Sequence, residues 1–449
     1  MNAAFPRVLV VTPQPFNYIT GLGITISNLF AAWPAEKLAC LYYEGITPET
    51  GVCKKVFRLT DVDGRLIFPL NLFPIFHREN KHAGSSTSVA EVSSKFSSAG
   101  VLKKSLKRLS AAMGIGETLC LGNIYRYRLR EHLRKWLNEF NPEVLYCSVA
   151  SLSDVILVIE LSKVTNTAIV VHIMDDWVEY QKNIPGLVPR LWAREAGRQL
   201  RRLIEKANVR MGIGAAMCRE FEHRYGCEFI PFQNCPESSL WVKNGRKTWD
   251  VAGVFRFVFS GAVYNTCNSM SLIRLAQAIS YLNITCRLSC VLEIHTNLAH
   301  SSKIIEAVRG CHGIEFKEVA SEQGAVAGLY GSADALLLPF DFIEQARRLS
   351  QYSMPTKLPA YMLSASPMFV YGPDSIAAIK YVTDNGCGYV VNEECSINRL
   401  ADHLEKFCAD AVLRRSIALR AQDQAISSFS AEVVRPLFAD QICRAMQGV

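Results

Sequence analysis

The feature that most constrains the fold is an alternation of short apolar runs with longer amphipathic segments, which occurs twice along the chain. Residues 7–12 (RVLVVT) open the first series and residues 255–260 (FRFVFS) open the second. Runs that are apolar throughout are typical of strands buried on both faces of a parallel sheet, and the segments between them then cover that sheet as helices. The pattern predicts an α/β protein with two Rossmann-like domains.

The further apolar runs of each series predict its remaining strands. In the first series they lie at 38–43, 143–149, 168–174 and 210–213, and in the second at 288–294, 314–319, 333–339, 368–371 and 388–391. Amphipathic spacing predicts helices at 24–33 and 271–281 and three helices after residue 396.

A polar stretch at 237–254 separates the two series. We predict an N-terminal domain over 1–245 and a C-terminal domain over 253–430. We expect a last helix, within 431–449, to pack back on the first domain. The Ser-rich segment 84–100 (GSSTSVAEVSSKFSSAG) has weak periodicity, which favours a mobile loop inside the first domain.

Length and composition exclude several classes of protein. A chain of 449 residues is too long for one typical core, and no apolar run is long enough to span a bilayer. The first seven residues lead into a strand without a signal-peptide pattern, which predicts a cytosolic protein. The 15 cysteines include no CxxC pair, so buried reduced thiols are expected rather than zinc or disulfides.

The net charge of +8 is unevenly distributed. One basic cluster comprises Lys103, Lys104, Lys107 and Arg108, and a second, at helical spacing, comprises Arg190, Arg194, Arg198, Arg201 and Arg202. Such a helix face either docks on anionic lipid head groups, as a peripheral membrane contact, or is an ordinary solvated surface. Nucleic acid is not expected as a partner, because no recognised motif accompanies the charge. The GxSxG, Walker A and HExxH patterns of other enzymes are absent.

In parallel sheets, ligands bind at the carboxyl ends of the strands, and two facing sheets of this kind form an interdomain cleft. The residues that follow each predicted strand are therefore the candidates for ligand binding. They are Gly21 and Gly23 after the first strand, Gly261, Tyr264 and Asn265 after the strand at 255–260, Ala320 after the strand at 314–319, and Gly372 after the strand at 368–371. A plain structural turn accounts for the glycines equally well.

The segment 353–362 (SMPTKLPAYM) predicts a helix start directed at an anion. Thr356 lies where an N-cap belongs, and Lys357 adds a positive charge to the exposed N–H groups of a first turn. Together with Ser353, these residues suit a diphosphate.

His172, Asp175 and Asp176 end the predicted strand at 168–174. Burying a titratable side chain at the end of a strand costs free energy unless the group has a hydrogen-bond or ion-pair partner or takes part in binding or catalysis. Because Asp175 and Asp176 are adjacent, they point to opposite sides of an extended segment, which argues against a shared metal ion. The alternative is structural: an aspartate caps the next turn and His172 is satisfied in the core.

Taken together, these segments resemble the retaining glycosyltransferases of family 4, which have the GT-B fold, and in particular bacterial members from surface-polysaccharide assembly such as lipopolysaccharide or capsule. The matching segments are 8–23, 172–177, 214–234, 329–340 and 353–373. The chain departs from that family's pair of glutamates, since Tyr352 and Ala360 occupy the two positions. The loop 261–266 also lacks the family's basic residues, which leaves the phosphate charge to Lys357, with help from Arg347 or Arg348.

The resemblance implies transfer of a sugar from a nucleotide-sugar donor to a saccharide or lipid-linked saccharide, with retention at the anomeric carbon and without a metal or other cofactor. Lys357 would stabilise the departing diphosphate, His172 would hold the donor sugar or shape the reaction centre, and Asp175 or Asp176 would position the acceptor hydroxyl. Two alternatives remain at this point: a non-catalytic binding or scaffold protein of the same fold, which the missing glutamates favour, and a sugar-nucleotide epimerase.

Overall fold

The computed structural model describes residues 5–67, 123–264 and 266–448. Three predictions therefore concern residues outside the described ranges: the loop at 84–100, the basic cluster at 103–108, and Asn265. The described residues divide into two compact units. The first comprises residues 5–17, 30–67, 123–232 and 438–448, and the second comprises residues 18–29, 233–264 and 266–437.

The first unit contains a sheet of seven parallel strands. Their bounds are β1 (Val8–Val11), β2 (Leu38–Tyr42), β3 (Lys55–Arg58), β6 (Val144–Ser148), β7 (Ala168–Ile173), β8 (Val209–Gly212) and β9 (Ile230–Pro231). A separate antiparallel pair is formed by β4 (Gly64–Leu66) and β5 (Tyr125–Tyr127). The order across the large sheet is β3-β2-β1-β6-β7-β8-β9. Since β1, β2, β6 and β7 are buried along their whole length, their continuous apolar runs are explained by helices on both faces.

The second unit contains a sheet of six parallel strands. They are β10 (Phe255–Ser260), β11 (Cys290–His295), β12 (Ile314–Lys317), β13 (Ala335–Pro339), β14 (Met368–Tyr371) and β15 (Tyr389–Val391), in the order β12-β11-β10-β13-β14-β15. Alternate side chains of β10 enter different cores: Phe257 and Phe259 pack on one face of the sheet, and Val258 packs on the other. This is the doubly covered parallel sheet that the sequence pattern predicts.

Helices connect the strands in both units. Those that begin before residue 233 are α1 (Gly21–Phe30), α2 (Glu131–Phe140), α3 (Leu152–Thr165), α4 (Trp177–Lys182), α5 (Leu187–Lys206) and α6 (Ala215–Tyr225). The later ones are α7 (Ser238–Asn244), α8 (Ser269–Ile284), α9 (Ser302–Ala307), α10 (Gln323–Ser332), α11 (Glu344–Ser350), α12 (Lys357–Leu363), α13 (Ala377–Asp384), α14 (Ile397–Ala409), α15 (Ala411–Ser428) and α16 (Ala431–Ala445). Within the described ranges, none of these helices has the length and apolar character needed to cross a membrane.

Helix α1 begins three residues before the predicted start at residue 24, so Gly21 and Gly23 lie in its first turn rather than in front of it. Thr20 explains the difference: its carbonyl accepts from Ile24 N at 2.8 Å, and its hydroxyl accepts from Gly23 N at 3.3 Å. A threonine before a helix is a common N-cap, so the signal was present in the sequence.

The end of α16 belongs to the core of the first unit. The ring of Phe438 is fully buried and lies 5.0 Å from Phe30, 5.4 Å from Phe232 and 5.8 Å from Tyr146, measured between ring centroids. Aromatic rings at these distances and steep angles form favourable edge contacts in addition to the area they bury.

Candidate functional site

Lys357, the first residue of α12, is the most unusual charged group of the second unit. Its Nζ lies 4.1 Å from the centre of the Phe259 ring, and no described residue forms an ion pair with it. The side chain keeps some contact with solvent, but the amine is surrounded by protein, and this burial lowers the pKa of Lys357 to about 7. Removing a charged amine from water costs free energy when no carboxylate pairs with it. A buried amine of this kind is typical of a functional site that binds an anionic ligand.

Gly261, directly after β10, borders the same amine. A Cβ placed on this glycine would lie 2.9 Å from Lys357 Nζ, and the backbone has φ +129°, where side chains are rarely tolerated. The glycine therefore lets the strand end and the amine approach each other closely. The structure brings together Gly261 and Lys357, which are two of the predicted site residues.

The start of α12 is fixed by hydrogen bonds to distant parts of the second unit. Thr356 occupies the N-cap position, but its hydroxyl does not cap its own helix; it donates to Gly21 O at 3.2 Å. The Thr356 carbonyl accepts from Asn234 Nδ2 at 2.7 Å, and Asn234 Oδ1 accepts from Asn28 Nδ2 at 2.7 Å. The structure thus joins Thr356 to Gly21, and it adds Asn28 and Asn234, whose role a local sequence pattern does not reveal.

Tyr361, one turn after Lys357 in α12, connects this helix to the end of β10 by a hydrogen bond. Its fully buried hydroxyl accepts from Ser260 N at 3.1 Å. Ala360, at the position where the resemblance places a glutamate, is 5% exposed and packs in the apolar cluster of this face. Tyr352, at the other glutamate position, is partly buried.

His295, which ends β11, is a polar side chain at the same sheet edge that sequence reasoning missed. Gly261 N donates to His295 O at 2.9 Å, and His295 Nε2 lies 3.0 Å from Glu293 Oε2. Arg256 and Lys317 also bind the Glu293 carboxylate, and Arg256 chiefly holds the pKa of that carboxyl far below its usual range. Its carboxylate can therefore anchor the imidazole at the end of the strand.

The remaining predicted donor-binding residues of this unit occupy different environments. Tyr264 is 60% exposed, Ala320 is partly buried after β12, and Ser353 is partly buried before α12. Gly372 is buried, and a Cβ there would lie 2.7 Å from the Phe340 Cβ, so close packing requires a glycine at this position. Of the two arginines expected to help Lys357, Arg348 pairs with Glu344 at 2.7 Å, and Arg347 donates to Phe342 O at 2.9 Å.

In the first unit, His172 lies near the end of β7 with no exposed surface. Its Nε2 lies 2.9 Å from Phe232 O, and its Nδ1 lies 2.6 Å from the Tyr146 hydroxyl. A carbonyl only accepts, so Nε2 carries the proton and Nδ1 accepts from Tyr146. Burial lowers the pKa of His172 to about 4, so the ring is neutral at pH 7 and both nitrogens are engaged within the protein.

The two aspartates after β7 have different surroundings, as their adjacency predicts. Asp175 is exposed. Asp176 is buried, accepts from Glu179 N at 3.4 Å at the start of α4, and pairs with Arg224 at 2.8 Å. Asp176 therefore stabilises the turn, whereas Asp175 lies at the surface.

A buried carboxylate that the sequence did not single out, Asp154, lies in the first turn of α3. It accepts from Ala150 N at 2.9 Å and from the Tyr43 hydroxyl, and burial raises its pKa to about 6. The ring of Tyr43 stacks on Tyr127 at 5.9 Å. This cluster connects the loops that follow β2 and β6. Among the described residues, no three His, Cys, Asp or Glu side chains are arranged to hold a metal ion.

Neither a protein-family model nor a curated protein sequence matches this chain. Solved structures do match it over nearly its whole length. Sucrose-phosphate synthase of Thermosynechococcus elongatus has a TM-score of 0.64 at 10% identity and covers 99% of this chain and 100% of its own. HepE of Anabaena in complex with UDP has a TM-score of 0.56 at 12% identity (97% and 99%), and a glycosyltransferase of Rickettsia africae has 0.56 at 9% (99% and 100%). At such identities the likeness shows the fold, and it confirms the predicted fold class, two Rossmann-like domains of the GT-B type.

Proposed function

We propose that this protein is a glycosyltransferase that takes a sugar from a nucleotide-sugar donor, and that Lys357 neutralises the donor's diphosphate. The observation that carries the proposal is the unpaired, largely buried amine beside Gly261. The fold supports it, since the similar HepE structure contains UDP.

The chemistry of the reaction explains why an amine of this kind is useful. When the glycosidic bond to the diphosphate breaks, negative charge grows on the leaving oxygen while the sugar becomes oxocarbenium-like. A positive charge already fixed nearby lowers that barrier, and losing one such group typically costs on the order of 3 kcal/mol, or roughly a hundredfold in rate. Lys357 is held in place by Thr356, Asn234 and Tyr361, so little reorganisation is needed.

The other donor contacts follow from the same sheet edge. We assign the phosphates to Lys357, Ser353 and Thr356 with the backbone at Gly261. The nucleoside then lies against the residues after the neighbouring strands. These are Tyr264, Asn265, His295, Ala320 and Gly372, together with the glycines Gly21 and Gly23 at the start of α1.

In the first domain we assign the acceptor. Asp175 is an exposed residue, so an acceptor hydroxyl can reach it. Asp176 positions the turn through Arg224. His172 is a positioning residue in this proposal: its neutral ring holds the carbonyl of Phe232 and so shapes the reaction centre.

We extend the proposal to the finer properties that the sequence resemblance implies. Transfer proceeds with retention at the anomeric carbon, needs no metal ion, and uses a saccharide or lipid-linked saccharide acceptor in bacterial cell-surface polysaccharide synthesis. The enzyme would act in the cytoplasm at the inner face of the membrane. Product anomers are distinguished by NMR, and activity in excess chelator tests the metal requirement.

The test of the proposal starts with the nucleotide sugars that remain bound to the purified protein, identified by mass spectrometry, followed by transfer assays with that donor. Lys357→Ala is expected to lower turnover at least about 100-fold without unfolding the protein. Lys303→Ala, which removes an exposed lysine of α9, serves as the control. Turnover of Lys357→Ala near the wild-type rate would refute the role of Lys357.

A second candidate, a binding or scaffold protein without catalytic activity, is favoured by one observation. Ala360 and Tyr352 replace the two glutamates of the resembling family, and Ala360 is closed off in an apolar cluster. Calorimetric titration with nucleotides and nucleotide sugars separates the candidates: binding to none of them, by a well-folded sample, favours the scaffold protein.

A further inference from the structure

The solvent-facing side of α5 combines charge and apolar surface in an unusual way. This helix is 20 residues long, and its exposed side chains from Leu187 to Glu205 are Leu187, Arg190, Leu191, Arg194, Arg198, Arg201, Arg202 and Glu205. At 3.6 residues per turn, all of them fall within about 120° of the helix circumference. We call this surface the arginine–leucine face.

Most of the positive charge on the arginine–leucine face is not neutralised. Arg198 pairs with Glu195 at 2.7 Å, and Arg201 lies over the Tyr225 ring at 5.1 Å. Arg190, Arg194 and Arg202 have no ion pair with any residue that the structure describes. Five arginines against one glutamate on this face make it strongly cationic.

The two leucines of the face are exposed to an extent that packing does not explain. Leu187 is 61% exposed and Leu191 is 57% exposed, one helical turn apart. Single exposed leucines are common, but these two are adjacent and are flanked by Arg190 and Arg194. Apolar side chains among arginines are typical of helices that lie in the interface of a membrane, where leucines enter the acyl boundary and guanidinium groups bind phosphates.

The position of the leucines in the fold suits an enzyme that meets its acceptor at a surface. Helix α5 connects β7 to its parallel neighbour β8, so it returns from the carboxyl edge of the first sheet to the amino edge. Leu187 and Leu191, at the beginning of α5, are therefore on the side of the carboxyl edge, where Asp175 also lies.

We propose that the arginine–leucine face binds the surface of an anionic phospholipid bilayer. The arginines supply the attraction to phosphate head groups, and the leucines insert below them. A second copy of the chain is a poorer occupant, because two cationic faces repel each other. Nucleic acid would use the arginines but leave the leucines in water. The inference does not depend on the proposed activity, since membrane binding is measured without donor or acceptor.

The experiment is co-sedimentation of the full chain with vesicles of equimolar phosphatidylglycerol and phosphatidylcholine, and with vesicles of phosphatidylcholine alone. Binding is expected to the first and not to the second, and to weaken as salt is raised. The triple variant Arg190→Gln, Arg194→Gln, Arg202→Gln is expected to lower the partition coefficient on the order of 100-fold, from roughly a fivefold effect per arginine. Leu187→Ser with Leu191→Ser is expected to lower it by at least about tenfold.

Matched controls exist elsewhere on the chain. The triple variant Arg65→Gln, Arg128→Gln, Arg130→Gln removes the same charge from exposed arginines of the first unit, and Leu437→Ser removes a leucine that is 58% exposed on α16. Both are expected to bind vesicles within about twofold of the wild type, since surface substitutions of this kind change little else.

Three results would overturn the inference. The first is equal binding to anionic and neutral vesicles, or to neither. The second is an equal loss of binding in the control triple variant, which would reduce the effect to net charge. The third is that the variant Leu187→Ser with Leu191→Ser still binds vesicles like the wild type but has a different sedimentation coefficient. That change of oligomeric state would assign the face to a second copy of the chain.

Discussion

The environment of Lys357 makes nucleotide binding depend on pH in a way that can be worked out in advance. In the free protein the pKa of this amine is about 7, because burial removes it from water. A diphosphate supplies the missing anion, so binding should return the amine toward the ordinary lysine pKa of about 10.5. A nucleoside diphosphate bound at pH 8 should therefore bring a proton with it.

The size of the effect follows from the titration. With a pKa near 7, about nine in ten of the amines are protonated at pH 6 and about one in ten at pH 8. If only the protonated amine binds the diphosphate well, the dissociation constant for UDP rises about tenfold between these two pH values. At pH 8 each binding event takes up about 0.9 proton.

Isothermal titration calorimetry in two buffers of different ionisation enthalpy measures that proton directly. Lys357→Met is expected to bind UDP much more weakly and without this uptake, and it also corrects for the ionisation of the ligand's terminal phosphate near pH 6. Lys303→Met is expected to behave as the wild type. Two results would refute the reasoning. One is that the wild type binds UDP at pH 8 without taking up a proton, and the other is that Lys357→Met takes up as many protons as the wild type.

The same amine affects stability, and this part of the prediction needs no ligand. The pKa of Lys357 is lower in the folded than in the unfolded protein, so between pH 7 and about 10.5 the unfolded chain binds one more proton. Stability then rises with pH across that window, by up to about 1.4 kcal/mol per pH unit from this group. Lys357→Met is expected to lose this slope and to be more stable than the wild type at pH 7, as measured by urea unfolding at pH 7 and pH 9.

Two further changes test other features. Gly261→Ala places a side chain at φ +129° and 2.9 Å from Lys357 Nζ. The substitution is expected to cost about 1–3 kcal/mol of strain and to weaken UDP binding in calorimetry. Gly310→Ala, with open space around it, should do neither. Unchanged binding in Gly261→Ala would contradict the close approach of ligand and strand end. Phe438→Ala removes a fully buried ring and is expected to lower the free energy of unfolding by about 3–5 kcal/mol. Leu437→Ala, which changes its exposed neighbour, is expected to lower it only slightly. Equal effects of the two substitutions in urea unfolding would refute the assignment of Phe438 to a core.

The two sheets were predictable because their strands are apolar from end to end. The short strand β3 was not, since its outer residues Lys55 and Arg58 are exposed at the edge of the first sheet, and β9 consists of only Ile230 and Pro231. Edge strands are shielded on one side only, so their sequences carry a weak apolar signal.

The candidate site was predictable in part. Lys357 and Gly261 were recognised because each follows a predicted strand, and strand ends collect ligands. The partners that fix them were not, because the contacts join residues far apart in the chain: Asn234 reaches Thr356 across 122 residues, and Thr356 reaches Gly21 across 335. The neutral state of His172 was equally hidden, since it results from the complete burial of the ring, which lowers its pKa.

The contacts of Phe438 have a consequence for how the chain is made. Ribosomes release the strands of the first sheet long before α16, yet Phe30, Tyr146 and Phe232 reach their native packing only against the Phe438 ring of that later helix. Until α16 has been synthesised, the core of the first domain therefore lacks the Phe438 ring and stays partly open to water. A fragment ending at residue 245 would retain that opening permanently, and expression of the first domain alone calls for a supplied copy of the last helix.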